Sequence, residues 1–279
     1  MTRPSQQYRR TPVGPITEAL AQEIQATATL LADAARAAIL PLFRTSGLLT
    51  ENKWEAGFDP VTQADRAAEE AMRRILATHR PDDGILGEEF APTKGSSGLT
   101  WVLDPIDGTR AFLSGAPTWG VLIAVTTEEG AIFGVIDQPY TGERWVGGLG
   151  AAQMVGPQGT WPLTARAARP LSEAILFSTF PEVGSEEERE CFERVAQQVK
   201  LTRFGMDCYA YGLLALGQID LVIEAGLHPY DICAPIAVIE AAGGIVTDWT
   251  GGPAEAGGRV IAAANREIHA EAMAVLKGA

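Results

Sequence analysis

The segment Trp101-Val-Leu-Asp-Pro-Ile-Asp-Gly-Thr109 constrains this chain more than any other stretch. The apolar run Trp101 to Leu103 requires a buried strand, and it delivers two carboxylates, Asp104 and Asp107, onto a tight turn. Pro105 limits the backbone there, and Gly108 lets a ligand approach the main chain closely. Two acids followed by backbone N–H groups suit a hard cation and a phosphate, because carboxylates bind such cations and turn or helix-start N–H groups bind phosphate oxygens. The competing reading is an ordinary polar turn, which acids, glycine and proline also favour. Two other segments repeat the design. Ile85-Leu-Gly-Glu88-Glu89-Phe90 runs from a short apolar strand through glycine to two acids, and Glu224-Ala-Gly-Leu-His-Pro-Tyr-Asp231 follows the apolar run Leu221 to Ile223. Taken singly, each acid reads as a solvated loop residue or a helix cap, Asp231 in particular as an N-cap. Three strand ends that all present acids beside glycine or proline predict convergence in space.

The rest of the chain bounds the kind of molecule that carries these segments. At 279 residues it can bury a substantial core. No apolar run approaches the roughly 18–20 residues that a bilayer span needs, so no membrane partner is expected. The first fifteen residues are polar, lack the apolar core of a secretory signal and read as a disordered tail. Three cysteines, Cys191, Cys208 and Cys233, show no metal-type spacing and an odd count, which argues against a disulfide framework and for residence in the cytoplasm. A net charge of −13 argues against a nucleic-acid partner. The same charge would repel an anionic phosphate ester unless bound divalent cations inverted the sign of the pocket.

Periodicity predicts a helix from Pro15 to about Phe43, with Thr17 as N-cap and an inner face through Ile16, Leu20, Ile24, Leu31, Ala35, Ile39 and Leu42. A second helix is expected from Asp65 to Thr78, facing inward with Ala68, Met72, Ile75 and Leu76. Short strands follow at 85–87, 99–103, 121–126, 131–136 and 144–147, with Glu129-Gly130 turning a hairpin. From about Gly156 strands and helices alternate, which favours an α/β layer. Strands are expected at 175–178, 201–204, 221–224, 245–248 and 260–263, and helices at 186–199, 209–216, 232–242 and 268–276. Domain organisation is expected as a tail over 1–15, an α+β half over 16–155 and an α/β half over 156–279. The glycine-rich stretch Gly147 to Thr160 is read as the boundary.

Gly87-Glu88-Glu89, Asp104-Pro-Ile-Asp107-Gly-Thr109, Tyr230-Asp231 with Ala234, and Gly243-Gly244 together resemble the inositol-monophosphatase family of Mg²⁺-dependent phosphomonoesterases. The likeness runs from about Lys53 to about Ala263 and includes Pro60-Val-Thr-Gln-Ala-Asp65. Many members have Trp where Tyr230 stands. That departure resembles the histidinol-phosphate phosphatase branch, as do Pro229, Gly134-Val-Ile-Asp-Gln-Pro139, Thr202-Arg-Phe-Gly-Met-Asp-Cys-Tyr209 and Gly243-Gly-Ile-Val-Thr-Asp-Trp249. The Asp-x-Asp-Gly-Thr motif of haloacid-dehalogenase phosphatases is excluded, because two residues separate Asp104 from Asp107 and the motif lies over a third of the way along the chain.

The resemblance implies a layered α/β/α/β/α sandwich, two or three Mg²⁺ ions per site, a small-molecule phosphate monoester as substrate and a homodimer. It assigns Glu88, Asp104 and the Ile106 carbonyl to a first metal and Asp104, Asp107 and Asp231 to a second. It assigns the attacking water to Glu88 and Thr109, phosphate oxygens to the N–H groups of Gly108 and Thr109, and an outer orienting role to Asp65. Lys53 matches a family lysine, and the reading as a solvated surface lysine stays open beside it. Glu224 stands seven residues before Asp231, where inositol phosphatases place an acid against sugar hydroxyls. Asp207 occupies a position that is small and apolar in those enzymes. Two carboxylates with no metal to satisfy would suit a cationic leaving group such as histidinol. A cap on the helix starting near Cys208 is the alternative for Asp207. Arg110 is a candidate for steering phosphate or for pairing with a surface acid, and His228 for a ligand contact or for ordinary surface. The expected activity is therefore hydrolysis of histidinol phosphate in histidine biosynthesis. An inositol monophosphatase or other small sugar-phosphate phosphatase, and a non-catalytic metal- or phosphate-binding regulator, are the alternatives. A nucleotide 3′-phosphatase is disfavoured, since no basic, aromatic-lined stretch suits an adenine nucleotide.

Overall fold

The computed structural model describes residues 15–45, 50–52 and 60–278. Helix α1 (Glu18–Ile39) starts where its cap allows, with Thr17 Oγ1 accepting the Leu20 N–H at 3.2 Å. A two-stranded hairpin, β1 (Thr50–Asn52) with β2 (Pro60–Thr62), leads into α2 (Gln63–His79). Lys53 and residues 1–14 of the tail expected over 1–15 lie outside the described residues. Seven strands then form one sheet in chain order: β3 (Gly84–Gly87), β4 (Thr100–Asp107), β5 (Gly120–Thr127), β6 (Gly130–Gln138), β7 (Glu143–Gly148), β8 (Ala151–Gly156) and β9 (Gly159–Pro162). All neighbours are antiparallel except β3 and β4. A short helix α3 (Thr109–Ser114) connects β4 to β5.

The second sheet has the order β11-β10-β12-β14-β13. It is built from β10 (Ile175–Ser178), β11 (Leu201–Phe204), β12 (Leu221–Leu227), β13 (Ile245–Asp248) and β14 (Gly258–Ala263). Between these strands run α4 (Glu186–Ala196), α5 (Tyr209–Ala215) and α6 (Pro229–Ala241), and α7 (Arg266–Leu276) follows β14. Strand β10 pairs in parallel with β11 and β12, whereas β14 is antiparallel to both its neighbours.

Three apolar layers glue these elements into the expected five-layer α/β/α/β/α sandwich. In the first, Ile24, Leu31, Ala35 and Ile39 of α1 and Ala68, Met72 and Leu76 of α2 pack on Trp101, Leu103, Val121, Ile123 and Val125. The alternate strand residues Val102, Leu122 and Ala124 point the other way, into a central layer with α5, α6 and the second sheet. Outside the second sheet, Phe192 and Val195 of α4 and Ile268, Ala272 and Leu276 of α7 cover Leu176, Leu221 and Ile261. Because α6 lies between two sheets, its residues from Ile232 to Ile239 are all buried, which explains why it lacks a polar face. It lies very close to the first sheet. A Cβ at Gly147 of β7 would overlap the Val238 Cα, and one at Gly134 of β6 would overlap the Ala234 carbonyl.

Several sequence expectations are corrected. The glycine-rich stretch Gly147 to Thr160, read as a boundary, is the end of β7 followed by strand β8 and the start of β9. Its glycines mark tight turns, with positive φ at Gly148, Gly150 and Gly159. The first sheet therefore runs to Pro162, beyond residue 155. Strand β4 extends past Leu103 to Asp107, and α4 stops at Ala196 rather than at Val199.

The contact between α6 and β7 makes a direct prediction. Gly147→Ala should cost about 1–3 kcal/mol by overpacking, read as a melting temperature lowered by several degrees in thermal denaturation.

Candidate active site

Strand β4 carries its acids into a break in sheet pairing. Asp104 still pairs with Leu122 of β5, the register then shifts, and Asp107 meets Gly120. Asp104 Oδ1 accepts the Ile106 N–H at 3.0 Å, closing a local turn around Pro105. Gly108 follows with φ +86, a left-handed conformation that favours glycine, and α3 begins at Thr109. From the other sheet, α6 delivers Asp231. The alternative of Asp231 as N-cap is refined: His228 is the N-cap, and Asp231 lies three residues inside as its capping-box partner, its Oδ2 accepting the His228 N–H at 2.6 Å.

Donor oxygens of Asp104, Asp107 and Asp231 all lie within 4.8 Å of one another. Burial pushes the Asp104 carboxyl well above the usual carboxylate range, and the charges of Glu88 and Asp107 push it further. Asp107 is raised by burial and by Asp207 and Asp231, against the opposing hydrogen bond from the Cys208 N–H at 2.6 Å. Asp231 is raised by burial too. Three crowded carboxylates in a low-dielectric site are the oxygen donor set that a hard divalent cation requires.

A second acidic group joins Asp65 in the first turn of α2 to Glu88 and Glu89, again with donor oxygens within 4.8 Å. Glu88 is clustered with Asp65 and Glu89, and its charge also disfavours ionisation of Asp104 in the first group. Glu89 was not singled out as a site residue from the sequence. Its N–H donates to Glu69 Oε2 at 2.7 Å, and its carboxylate lies 3.6 Å from Arg66 Nε. Glu69, fully buried, is held in turn by Arg73 at 2.7 Å, and it occupies the space that a side chain on Gly87 would fill. The sequence showed Glu89 as the second acid of Gly87-Glu88-Glu89, but alternation along an extended chain argues against adjacent residues sharing a face.

Above these acids opens a cavity of about 350 Å³. Of the residues singled out in the sequence, Glu88, Asp107, Gly108, Thr109, Arg110, Asp207, Glu224 and Asp231 line it, whereas Asp65, Asp104 and Ile106 lie buried beneath. Thr109 Oγ1 donates to the Ile106 carbonyl at 3.2 Å. His228 also lines the cavity, its ring stacked on Tyr230 at 5.1 Å, and Phe180 adds an exposed aromatic face with the Arg110 guanidinium 4.7 Å above it. Phe180 and Thr179 had no signal in the sequence, because nothing local distinguishes them from core residues of β10.

Asp207 does not cap a helix. Helix α5 starts at Tyr209 with Cys208 as its N-cap and has no side-chain cap, and Asp207 instead accepts from Thr118 Oγ1 at 3.1 Å. Burial lifts its carboxyl to about 6, against the opposing effects of the Thr118 bond and the Arg110 charge. Glu224 on β12 accepts from the Thr179 N–H at 2.7 Å, Thr179 Oγ1 at 2.9 Å and Ser178 Oγ at 3.2 Å. Burial nevertheless lifts it to about 7.

Comparison with known proteins matches a family model described as the inositol monophosphatase family over residues 20–278. The chain belongs to the inositol monophosphatase family. It is 40% identical over 263 residues to the bifunctional phosphatase IMPL2 of Arabidopsis thaliana, a chloroplastic protein, covering 90% of this chain and 74% of that one. It is 34% identical to a histidinol-phosphatase of Streptomyces coelicolor, covering 89% and 95%. Among solved structures, an inositol monophosphatase from Zymomonas mobilis superposes with a TM-score of 0.81 at 38% identity, covering 92% and 98%. The family is one of metal-dependent phosphatases, and the acidic groups described here are what this chain offers a divalent metal. No helix among the described residues is long and apolar enough to cross a membrane.

Two predictions follow from the electrostatics. Divalent cations should raise the melting temperature of metal-stripped protein. Asp104→Asn should raise the melting temperature of the stripped protein by relieving repulsion and lose most of the cation-induced increase. In the stripped protein, the folded Glu224 carboxyl keeps a proton up to about pH 7 that the unfolded chain releases from about pH 4.5. Its contribution to stability is therefore full below pH 4.5 and lost as pH rises through 7. Denaturant titrations across that window should show a shallower fall for Glu224→Gln.

Proposed function

We propose that this protein hydrolyses histidinol phosphate to histidinol and phosphate with Mg²⁺, in the cytoplasm. The observation that carries the reading is the pair Asp207 and Glu224, two carboxylates that line the same cavity as Asp107 and Asp231. Neither belongs to the two acidic groups suited to metal. Buried acids of this kind favour a ligand that brings positive charge, since an ammonium or imidazolium would restore to them the ionised state that burial opposes. The Streptomyces histidinol-phosphatase relative supports the same substrate. Three cysteines that form no disulfide agree with a reducing compartment.

Asp104, Asp107 and Asp231, with Glu88 and the Ile106 carbonyl, would hold the metal. Mg²⁺ bound there lowers the pKa of water, neutralises phosphoryl oxygens and stabilises a leaving alkoxide. Hydrolysis forms a bond from a water oxygen to phosphorus, breaks the ester P–O bond and returns a proton to the leaving oxygen. Glu88 and Thr109 are assigned to orient that water, the Thr109 hydroxyl exchanging its bond to Ile106 for one to the water. Asp65, buried behind Glu88, fixes the orientation from below. The N–H groups of Gly108 and Thr109, at a helix start without intrahelical acceptors, hold phosphate oxygens. Arg110 draws the phosphate in from the rim, and Asp207 and Glu224 hold the cationic alcohol.

A second reading, hydrolysis of inositol monophosphate or a related sugar phosphate, draws on one feature of Glu224. A carboxyl lifted to about 7 is partly protonated at neutral pH and can donate to a sugar hydroxyl. Phosphate release from histidinol phosphate and inositol 1-phosphate, with Mg²⁺ or with chelator, separates the two. Mg²⁺-dependent preference for histidinol phosphate is expected. Asp207→Ala and Glu224→Gln should cut its kcat/KM at least tenfold, as loss of a bond to a charged group does, and spare inositol 1-phosphate. Preference for inositol 1-phosphate would overturn the substrate, and silence on both esters would leave a binding protein.

A further inference from the structure

Each of the two carboxylates that face the substrate end of the cavity is gripped by a threonine. The two threonines come from different halves of the molecule. Thr118 precedes β5 in the seven-stranded sheet, and its hydroxyl donates to Asp207 Oδ2 at 3.1 Å across the central cleft. Asp207 carries a left-handed backbone, φ +45, rare for a residue with a side chain. Its side chain is wedged against Gly108, where an added Cβ would lie 2.7 Å from Asp207 Cγ. The close approach to Gly108 and the Thr118 hydroxyl together hold the carboxylate from two sides. On the other side, the parallel register of β10 and β12 pairs Phe177 with Val222, and continuing it by two residues brings Thr179 beside Glu224. Thr179 then donates both its N–H and its hydroxyl to Glu224 Oε1.

Neutral hydroxyl donors fix where carboxylate oxygens point without cancelling their charge. A basic donor in the same place would neutralise the acid; the Arg110 charge reaches Asp207 from the cavity rim, where its guanidinium stacks on Phe180, but it is the Thr118 hydroxyl that sets the direction of the carboxylate. We propose that Thr118 is a specificity-determining positioning residue, which aims Asp207 so that a cationic leaving group is preferred over a neutral polyol. Thr179 serves Glu224 in the same way, with a weaker dependence on its hydroxyl. Glu224 keeps the Thr179 N–H and Ser178 Oγ if that hydroxyl is lost, whereas among the described residues Thr118 supplies the one hydrogen bond to the Asp207 carboxylate. This inference rests on the histidinol-phosphate reading of the site and adds to it the residue that enforces the choice.

The test compares Thr118→Val, Thr118→Ser and Thr179→Val in the full chain with Mg²⁺, using steady-state kinetics on histidinol phosphate and inositol 1-phosphate and calorimetric binding of histidinol. Thr118→Val should raise KM for histidinol phosphate and Kd for histidinol about tenfold, the loss of one bond to a charged group. Its kcat should stay within about twofold and its KM for inositol 1-phosphate should be unchanged, as expected of a change confined to leaving-group binding. Thr118→Ser should restore both constants, and Thr179→Val should show a smaller effect than Thr118→Val. A Thr118→Val variant that impairs both esters alike, or lowers kcat as much as it raises KM, has lost structure rather than aim, and that result overturns the proposal. If the wild type hydrolyses only inositol 1-phosphate, the histidinol reading fails by itself. The positioning role is then judged on histidinol affinity, and an unchanged Kd in Thr118→Val overturns it.

Discussion

The rest of this molecule depends on holding Asp104, Asp107 and Asp231 together against their own repulsion. Burial and neighbouring acids both disfavour their charged forms, so the cluster opposes folding unless something else fixes the backbone beneath it. The fixing is done by apolar packing. Trp101 and Leu103 anchor β4 against α1 and α2, Val102 faces the central layer, and the fully buried α6 carries Asp231 to the same point from the opposite sheet. Gly134 and Gly147 let α6 approach the first sheet closely enough for its N-terminus to reach the end of β4.

The two halves supply different parts of the chemistry. The seven-stranded sheet and its helices carry Asp65, Glu88, Asp104, Asp107 and the α3 turn, which together suit metal and phosphate. The five-stranded sheet and its helices carry Asp231, Asp207 and Glu224. Hydrogen bonds cross between the halves at the site, from the Cys208 N–H to Asp107 and from Thr118 to Asp207. A shift of one half against the other would disturb both the metal-suited cluster and the substrate wall. Part of the net charge of −13 is local, since Asp65, Asp104 and Glu224 are buried at this one site.

Much of the fold was legible because long amphipathic periodicity is a local property. The helices α1 and α2, the β5–β6 hairpin at Glu129-Gly130 and the alternation after residue 170 all follow from spacing alone. The α3 turn and the β8–β9 hairpin were not legible. The first is only six residues long, and the second lies in a glycine-rich stretch whose strands are half exposed and carry little apolar pattern. The acids at the three strand ends were legible because each interrupts an apolar run beside glycine or proline. Thr118, Thr179 and Phe180 were not, because each draws its meaning from a partner between 45 and 89 residues away.

The sequence by itself determined where strands stop and acids begin, because burial of apolar runs and the backbone demands of Gly108 and Pro105 are set by adjacent residues. It also determined family membership, since the acidic motifs and their order along the chain are written in one dimension. Only the tertiary structure decided which acids share a space, that the charge of Glu88 acts on both acidic groups, that Asp231 stands at the third position of α6 and closes a capping box with His228, and that Asp207 turns toward the cavity instead of a helix end. The physical reason is range. Periodicity and turn chemistry act over a few residues, whereas the repulsion, hydrogen bonds and burial that define the site act over a few ångströms between segments that only packing brings together.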